Sequence, residues 1–98
     1  MMQEYWLGHN VVGFDGIVLE LFGATDVHRC HLYHIQSFQL SRTRSGRLSL
    51  YVHAQGGRGT PSVGDLDESA LPAVEALVEA VNGARQARGW PLIPFRTS

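Results

Sequence analysis

Residues 11–22 read VVGFDGIVLELF, in which Asp15-Gly16 separates two runs of large apolar residues. An Asp-Gly pair between such runs is the strongest short-range signal for a β-hairpin. A two-residue turn predicts three cross-strand pairs that place the large apolar side chains on one face: Phe14 with Ile17, Val12 with Leu19, and Asn10 with Leu21. The turn signal and the hydrophobic pattern agree, so the chain is predicted to open as antiparallel β-structure.

The length and charge of the chain limit the classes of protein to consider. Its 98 residues allow one modest hydrophobic core. We expect a single β-rich domain over residues 1–89, followed by an apolar, proline-containing tail over residues 90–98. A formal net charge of -1 gives no general electrostatic reason to expect a nucleic-acid partner.

Three features bear on the cellular compartment. No uninterrupted apolar stretch approaches the roughly 18 residues of a membrane span. The start of the chain lacks the basic and apolar regions of a signal peptide. The single cysteine, Cys30, cannot form an intramolecular disulfide, which fits a reducing compartment. We therefore expect a cytoplasmic protein without a membrane span.

A second hairpin is predicted over residues 37–54, where apolar and polar residues alternate. A two-residue loop at Ser45-Gly46 would set Leu40 opposite the outward-facing Tyr51, whereas a three-residue loop over residues 44–46 keeps the apolar residues on one side. The pairs of this second register are Leu40 with Leu50 and Phe38 with Val52. The three-residue loop also gives Gly46 the left-handed position that such loops favour.

The remaining β-region is less regular. Residues 23–26 are predicted to form a turn, and residues 29–32 a short strand that places His28, Cys30 and Leu32 on one face. The glycine- and proline-rich residues 56–64 are predicted to form a loop, since neither a helix nor a ladder tolerates that density of Gly and Pro.

The hydrophobic period changes from two to 3.6 after this loop, which predicts a helix over about residues 67–87. Its apolar stripe consists of Leu71, Val74, Leu77, Val78 and Val81. Asp67 and Ser69 are the candidates for the N-cap, and Pro72 then lies in or near the first turn, where its missing N–H costs little. The chain is thus predicted to be an α+β protein, an antiparallel sheet with one C-terminal amphipathic helix.

Two short motifs carry a resemblance to a known family: Phe14-Asp15-Gly16 before an apolar strand, and Ile35-Gln36-Ser37-Phe38-Gln39-Leu40 after a polar-flanked strand. With the order of a β-rich body, a Gly-rich loop and one terminal helix, residues 11–86 look like a small bacterial pleckstrin-homology-like (PH-like) domain. This resemblance implies a bent, partly closed β-barrel capped at one end by the helix. A plain antiparallel sheet with one packed helix is the alternative fold.

The resemblance also implies a function, because PH-like domains of this kind serve mostly as interaction or self-assembly modules. We accordingly expect a non-enzymatic module, without catalytic residues or a cofactor, whose partner is another protein or a second copy of the chain. Lipid-binding members of the family use basic residues around the first hairpin turn. Asp15-Gly16 at that turn argues against phosphoinositide recognition.

Arginines at the tip of the second hairpin are the first candidates for a partner contact. Arg42, Arg44 and Arg47 could together bind an anion or an acidic partner, since a guanidinium is suited to bidentate contact with such groups. The alternative is a solvated edge whose charges discourage sheet-to-sheet aggregation.

The tail supplies the second candidates. Trp90, Leu92, Ile93 and Phe95 are too apolar to be left in water, because burial of each large side chain is worth roughly 1.5 to 3 kcal/mol. They are expected either to pack across their own domain or to dock on a partner or subunit. Pro91 and Pro94 favour an extended path for this segment.

A small-ligand or metal-binding protein that uses residues 28–34 is the competing hypothesis. The histidines and the cysteine that could take part are His28, Cys30, His31, His34 and the more distant His53. Structural zinc usually needs four converging ligands, whereas a strand projects His28 and Cys30 to one side and His31 to the other. We therefore expect no metal to be bound.

Overall fold

The computed structural model describes residues 2–22, 27–55 and 60–97. Eight strands and one long helix follow each other as β1 (Gln3–Leu7), β2 (Asn10–Phe14), β3 (Val18–Phe22), β4 (Val27–His31), β5 (Ile35–Arg42), β6 (Leu48–Ala54), β7 (Ser62–Leu66), α1 (Leu71–Ala87) and β8 (Phe95–Thr97). The strands form two four-stranded sheets, in the orders β1-β2-β3-β4 and β7-β6-β5-β8. The predicted α+β fold with one C-terminal helix is confirmed, and the described strands form two sheets instead of a closed barrel.

The first sheet contains the predicted hairpin, but its register differs from the prediction by two residues. Phe14 lies opposite Leu19, and Val12 lies opposite Leu21. Because side chains alternate along a strand, a shift of two residues keeps the predicted face, and these four side chains are all buried. Ile17 does not join them and is 45% exposed.

The side chain of Asp15 explains this shift. Its carboxylate Oδ1 accepts hydrogen bonds from the backbone N–H groups of Ile17 at 2.8 Å and Val18 at 2.7 Å, and its own N–H donates to the Val18 carbonyl at 3.3 Å. Asp15 therefore closes the end of the strand, and the turn moves forward to Gly16, which has a φ of 98°. An Asx turn has displaced the predicted Asp-Gly turn.

The second hairpin agrees with its prediction. Phe38 pairs with Val52 and Leu40 with Leu50, as the three-residue loop requires. Thr43 and Arg47 close that loop with a backbone hydrogen bond of 2.7 Å. Gly46 has the predicted left-handed conformation, with a φ of 85°.

Three predictions for the irregular β-region need correction. β1 was not predicted, and the predicted loop over residues 56–64 is wrong for residues 62–64, which belong to β7. The fourth strand ends at His31, because Leu32 begins a 3-10 turn, Leu32–His34. Residues 23–26 and 56–59 lie outside the described residues.

A register irregularity hides β7 from pattern analysis. Leu50 pairs with Val63, but Leu48 pairs with Leu66, so three steps along β7 match two along β6. Both Val63 and Leu66 are consequently buried although their spacing is odd. A β-bulge of this kind breaks the period of two on which strand prediction depends.

One hydrophobic core joins both sheets and the helix. The predicted helix stripe is buried at Val74, Leu77, Val78 and Val81, and Leu71 is half-buried. The N-cap prediction is wrong for α1, whose N-cap is Ala70 without a side-chain hydrogen bond. Asp67 instead caps the preceding 3-10 turn, Glu68–Ala70, where its side chain accepts from the Ser69 backbone N–H. The buried side chains of α1 and of both sheets form a single cluster, so one core serves the described chain.

The tail returns across the second sheet. Ile93 is buried, and β8 pairs in parallel with β5, with Phe95 opposite Phe38. The amide of Asn82 in α1 holds this segment twice: Oδ1 accepts from the Ile93 N–H at 2.8 Å, and Nδ2 donates to the Ile93 carbonyl at 3.2 Å. The tail therefore covers the edge of β5 that would otherwise be unpaired.

Replacing Gly46 by alanine should lower the free energy of unfolding by about 1–2 kcal/mol, the cost of a left-handed conformation for an L residue. A Cβ at Gly46 meets nothing within 4 Å, so the cost is conformational alone. The matched control is Gly83→Ala in the interior of α1, where space is equally open and φ is not positive. That control should gain about 0.5–1 kcal/mol. Chemical denaturation measures both changes, and effects of the same sign would contradict the expectation.

Replacing Asn82 by alanine should lower the free energy of unfolding by about 1–3 kcal/mol, because the half-buried Ile93 backbone loses both of its amide partners. Gln86→Ala, one turn further along α1 at an exposed position, is the control and should have little effect. The loss of melting temperature should not depend on protein concentration if the tail packs on its own chain. A loss that shrinks as the protein is concentrated would indicate instead that the tail docks on a second copy.

Candidate functional site

A groove of about 260 Å³ lies between the start of α1 and the strands β5, β6 and β8. We call it the helix–strand groove. Its apolar lining consists of Leu40, Leu48, Leu71 and Phe95, and its polar rim of Arg42, Glu75 and Thr97. Four elements that are distant in sequence therefore meet at one concave surface.

Local structure explains how each side chain reaches the groove. Arg42 and Leu48 are cross-strand partners at the end of the second hairpin. Leu71 and Glu75 are four residues apart on α1, so they lie on the same side of the helix, one turn apart. The parallel pairing of β8 with β5 places Thr97 opposite Leu40.

The charges at the rim are not equally available. The Arg42 guanidinium donates to the Glu68 carboxylate at 2.8 Å and to the Gly46 carbonyl at 3.0 Å. Within the described part of the chain, the Glu75 carboxylate is exposed and has no hydrogen-bond or ion-pair partner. The charge that the groove offers to a ligand is therefore negative.

The arginines at the predicted cationic tip also differ in whether a carboxylate is already paired with them. Arg47 donates to the Asp65 carboxylate at 3.0 Å and to the Asp65 carbonyl at 2.6 Å. Together with the Arg42–Glu68 pair, this contact ties the hairpin to the segment that precedes α1. An anion at Arg42 or Arg47 would have to compete with a carboxylate already in place. Among residues 2–22, 27–55 and 60–97, Arg44 has no carboxylate partner.

The four apolar tail residues have different environments. Ile93 is buried in the core, Phe95 lines the helix–strand groove, and Leu92 is 60% exposed. Trp90 is half-buried, with its ring edge-on to Tyr33 at a centroid distance of 5.5 Å. Arg85 lies 5.5 Å from the Trp90 ring centroid, a distance that favours a cation–π contact. Most of the tail thus packs on its own chain.

The structure unites Arg42 and Phe95, which the sequence assigned to two separate candidate sites. Leu71 and Glu75 were missed, because the helical stripe gives no information on which part of the sheet faces the first turn. In the sequence, the feature that could have pointed to this site was Leu71, the first residue of the apolar stripe.

The histidines and the cysteine of residues 28–34 do not form one cluster, although the rings of His31 and His34 meet edge-on with their centroids 6.0 Å apart. Cys30 is buried between the sheets, and this burial raises the pKa of its thiol. The His31 ring accepts the Tyr33 backbone N–H at Nδ1, at 3.1 Å, and His53 contacts Gln39 at 3.2 Å. Over residues 2–22, 27–55 and 60–97, no three His, Cys, Asp or Glu side chains come together in a way that could hold a metal ion.

Comparisons with known proteins add no relative. No protein family matches the chain, and neither does any curated protein. Among the helices that the structure describes, none combines the length and apolar character needed to cross a bilayer.

Ser69→Ala should raise the pKa of Asp67. This residue immediately precedes Glu68, the ion-pair partner of Arg42, and the start of α1 at Leu71. In the parent, hydrogen bonds from the Ser69 hydroxyl and then from the Ser69 backbone N–H lower the pKa of Asp67 below its ordinary value of 3.8. A lowered pKa means stability that is present above the ordinary value and is lost as the pH falls through the lowered one. The variant should therefore be less stable at neutral pH and lose less on acidification.

Carboxyl-carbon NMR titration of Asp67 measures this pKa directly, and thermal melts across the acid range measure the linked stability. Asp15→Asn is the control. The pKa of Asp15 is also lowered, by hydrogen bonds from Val18 and Ile17, but at the opposite hairpin. The Asp15→Asn variant should leave the pKa of Asp67 unchanged. An Asp67 carboxyl that titrates identically in the parent and in Ser69→Ala would contradict the assignment.

Proposed function

We propose that this protein is a non-enzymatic interaction module of PH-like type that binds a partner protein through the helix–strand groove. The observation that carries the proposal is the combination of an apolar floor with one unpaired carboxylate, Glu75, at the rim. Concave, mostly apolar sites with a few placed polar groups are typical binding sites in proteins.

The order of the elements supports the PH-like part of the proposal. Among the described residues, seven strands precede the helix, four in one antiparallel sheet and three in the other, and the helix stripe belongs to the core that both sheets share. β8 is an addition to this order, because it pairs in parallel at the edge of β5.

The lining of the groove specifies the chemistry of the partner. A volume of about 260 Å³ accommodates one large apolar side chain above Leu40, Leu48 and Leu71. The unpaired Glu75 carboxylate favours a cation beside it, whereas Arg42 is already matched by Glu68. The fitting ligand is a peptide segment in which a large apolar residue is close to a lysine or arginine.

Selection of random peptides displayed on phage against the purified protein tests the proposal. The enriched peptides should carry an apolar residue close to a basic one. Glu75→Lys should weaken their binding by about tenfold or more, because a repulsive pair replaces an attractive one. Glu79→Lys, the same charge reversal one turn further along α1 and outside the groove, should bind as the parent does.

Isothermal titration calorimetry with the selected peptides compares the two variants, and the difference between them should shrink at high salt. Equal affinity for both variants, or selection that yields no peptide of measurable affinity, would overturn the proposal. A small molecule or metal ion retained in native mass spectrometry and seated in residues 28–34 would favour the competing class of small-ligand protein.

A further inference from the structure

The outer face of the first sheet, which is turned away from the core, carries a row of apolar side chains across all four strands. Trp6 pairs with Val11, and Phe22 pairs with Val27. The β2–β3 register, continued by one residue, sets Val11 beside Phe22. We call these four residues the apolar row.

The apolar row is exposed. Trp6 is 61% exposed, Val27 44% and Phe22 36%. These are three of the six large hydrophobic residues that are exposed in the described part of the chain. Isolated exposed hydrophobic residues are ordinary, but a contiguous set on one sheet face indicates an interaction surface.

The next row along the strands carries opposite charges at its two ends. Glu4 pairs with Gly13, Gly13 with Glu20, and Glu20 with Arg29. Glu4 on one edge strand and Arg29 on the other are both exposed. Gly13 offers no side chain, and a Cβ there would collide with the thioether of Met2, so the middle of this row is covered by an apolar group.

We infer that this face packs against the same face of a second copy, around a two-fold axis that runs parallel to the strands between β2 and β3. Such an axis exchanges β1 with β4 and β2 with β3. It places Trp6 against Val27 of the second copy and Val11 against its Phe22. It also brings Glu4 against Arg29 of the second copy. The apolar row thus meets the apolar row of the second copy, and the charged ends of the next row meet opposite charges.

Charge complementarity selects this arrangement. A two-fold axis along the apolar row would instead set each strand over itself, Trp6 on Trp6, and would bring neither Glu4 nor Arg29 to an opposite charge of the second copy. The ion pair of Arg29 Nε with Glu20 Oε2 of its own chain, at 3.4 Å, is the same in both arrangements, and the Arg29 side chain remains 70% exposed for a second carboxylate. The surface differs from the helix–strand groove, which lies on the second sheet and α1. The inference goes beyond the proposed function, which concerns only the groove, and the two can fail independently.

Sedimentation equilibrium of the full chain, from about 1 μM to about 1 mM protein, tests the inference. The parent should form a dimer. Trp6→Lys should weaken dimerisation by about tenfold or more, because it puts a charge opposite Val27 of the second copy within the apolar contact. Leu92→Lys is the control: Leu92 is equally exposed but lies on the tail, so its variant should dimerise as the parent does. Circular dichroism checks that both variants remain folded.

A charge-reversal cycle tests the orientation of the two copies. Glu4→Arg and Arg29→Glu should each weaken the dimer, and the double variant should restore it at low salt. A parent that stays monomeric up to about 1 mM would overturn the inference, as would a Trp6→Lys variant that dimerises like the parent. Trp6→Lys should keep the affinity for groove-selected peptides, and Glu75→Lys should keep the dimer, which separates this test from that of the groove.

Discussion

The fold depends on the burial of three surfaces in one core: the inward faces of two short sheets and the apolar stripe of a single helix. The core side chains of both sheets and the α1 stripe form one cluster. A helix of 17 residues cannot also cover the free edge of β5. The tail does so, and the reciprocal hydrogen bonds between Asn82 and the Ile93 backbone fix it there. Burial of apolar side chains holds the two sheets and the helix together, and the two hydrogen bonds of the Asn82 amide hold the segment that leads into β8.

The two proposed interaction surfaces are parts of the molecule that this packing leaves uncovered. Leu71 at the start of α1 is half-buried and lines the groove together with Leu40 and Leu48. The first sheet is covered on one face only, which leaves Trp6 and its row in solvent. The groove combines an apolar floor with an unpaired acid, whereas the sheet face combines an apolar row with ends of opposite charge. Such surfaces suit different partners, a basic peptide and a second copy.

The candidate residues were predictable by type but not by location. Arg42 was recognised as a cation at a hairpin tip and Phe95 as an apolar tail residue, yet each acquires its role from a neighbour far away in sequence. Arg42 is neutralised by Glu68, 26 residues later. Phe95 lines the groove because β8 pairs with β5. The sequence did not predict the apolar row, because it did not predict β1. Trp6 lies beside Val11 only through the pairing of β1 with β2.

The N-cap of α1 is Ala70, which neither of the two predicted cap residues indicated. The sequence is enough to predict the second hairpin, its register and the apolar stripe of the helix, because these depend on short-range periodicity and on turn chemistry. It also determined the face of the first hairpin, although the Asx turn at Asp15 moved the register by two residues. Tertiary contacts are needed to explain the bulged strand β7, the parallel strand β8 and the partners of the arginines. Each of these is set by the summed burial of many distant side chains, and no local pattern in the chain encodes that sum.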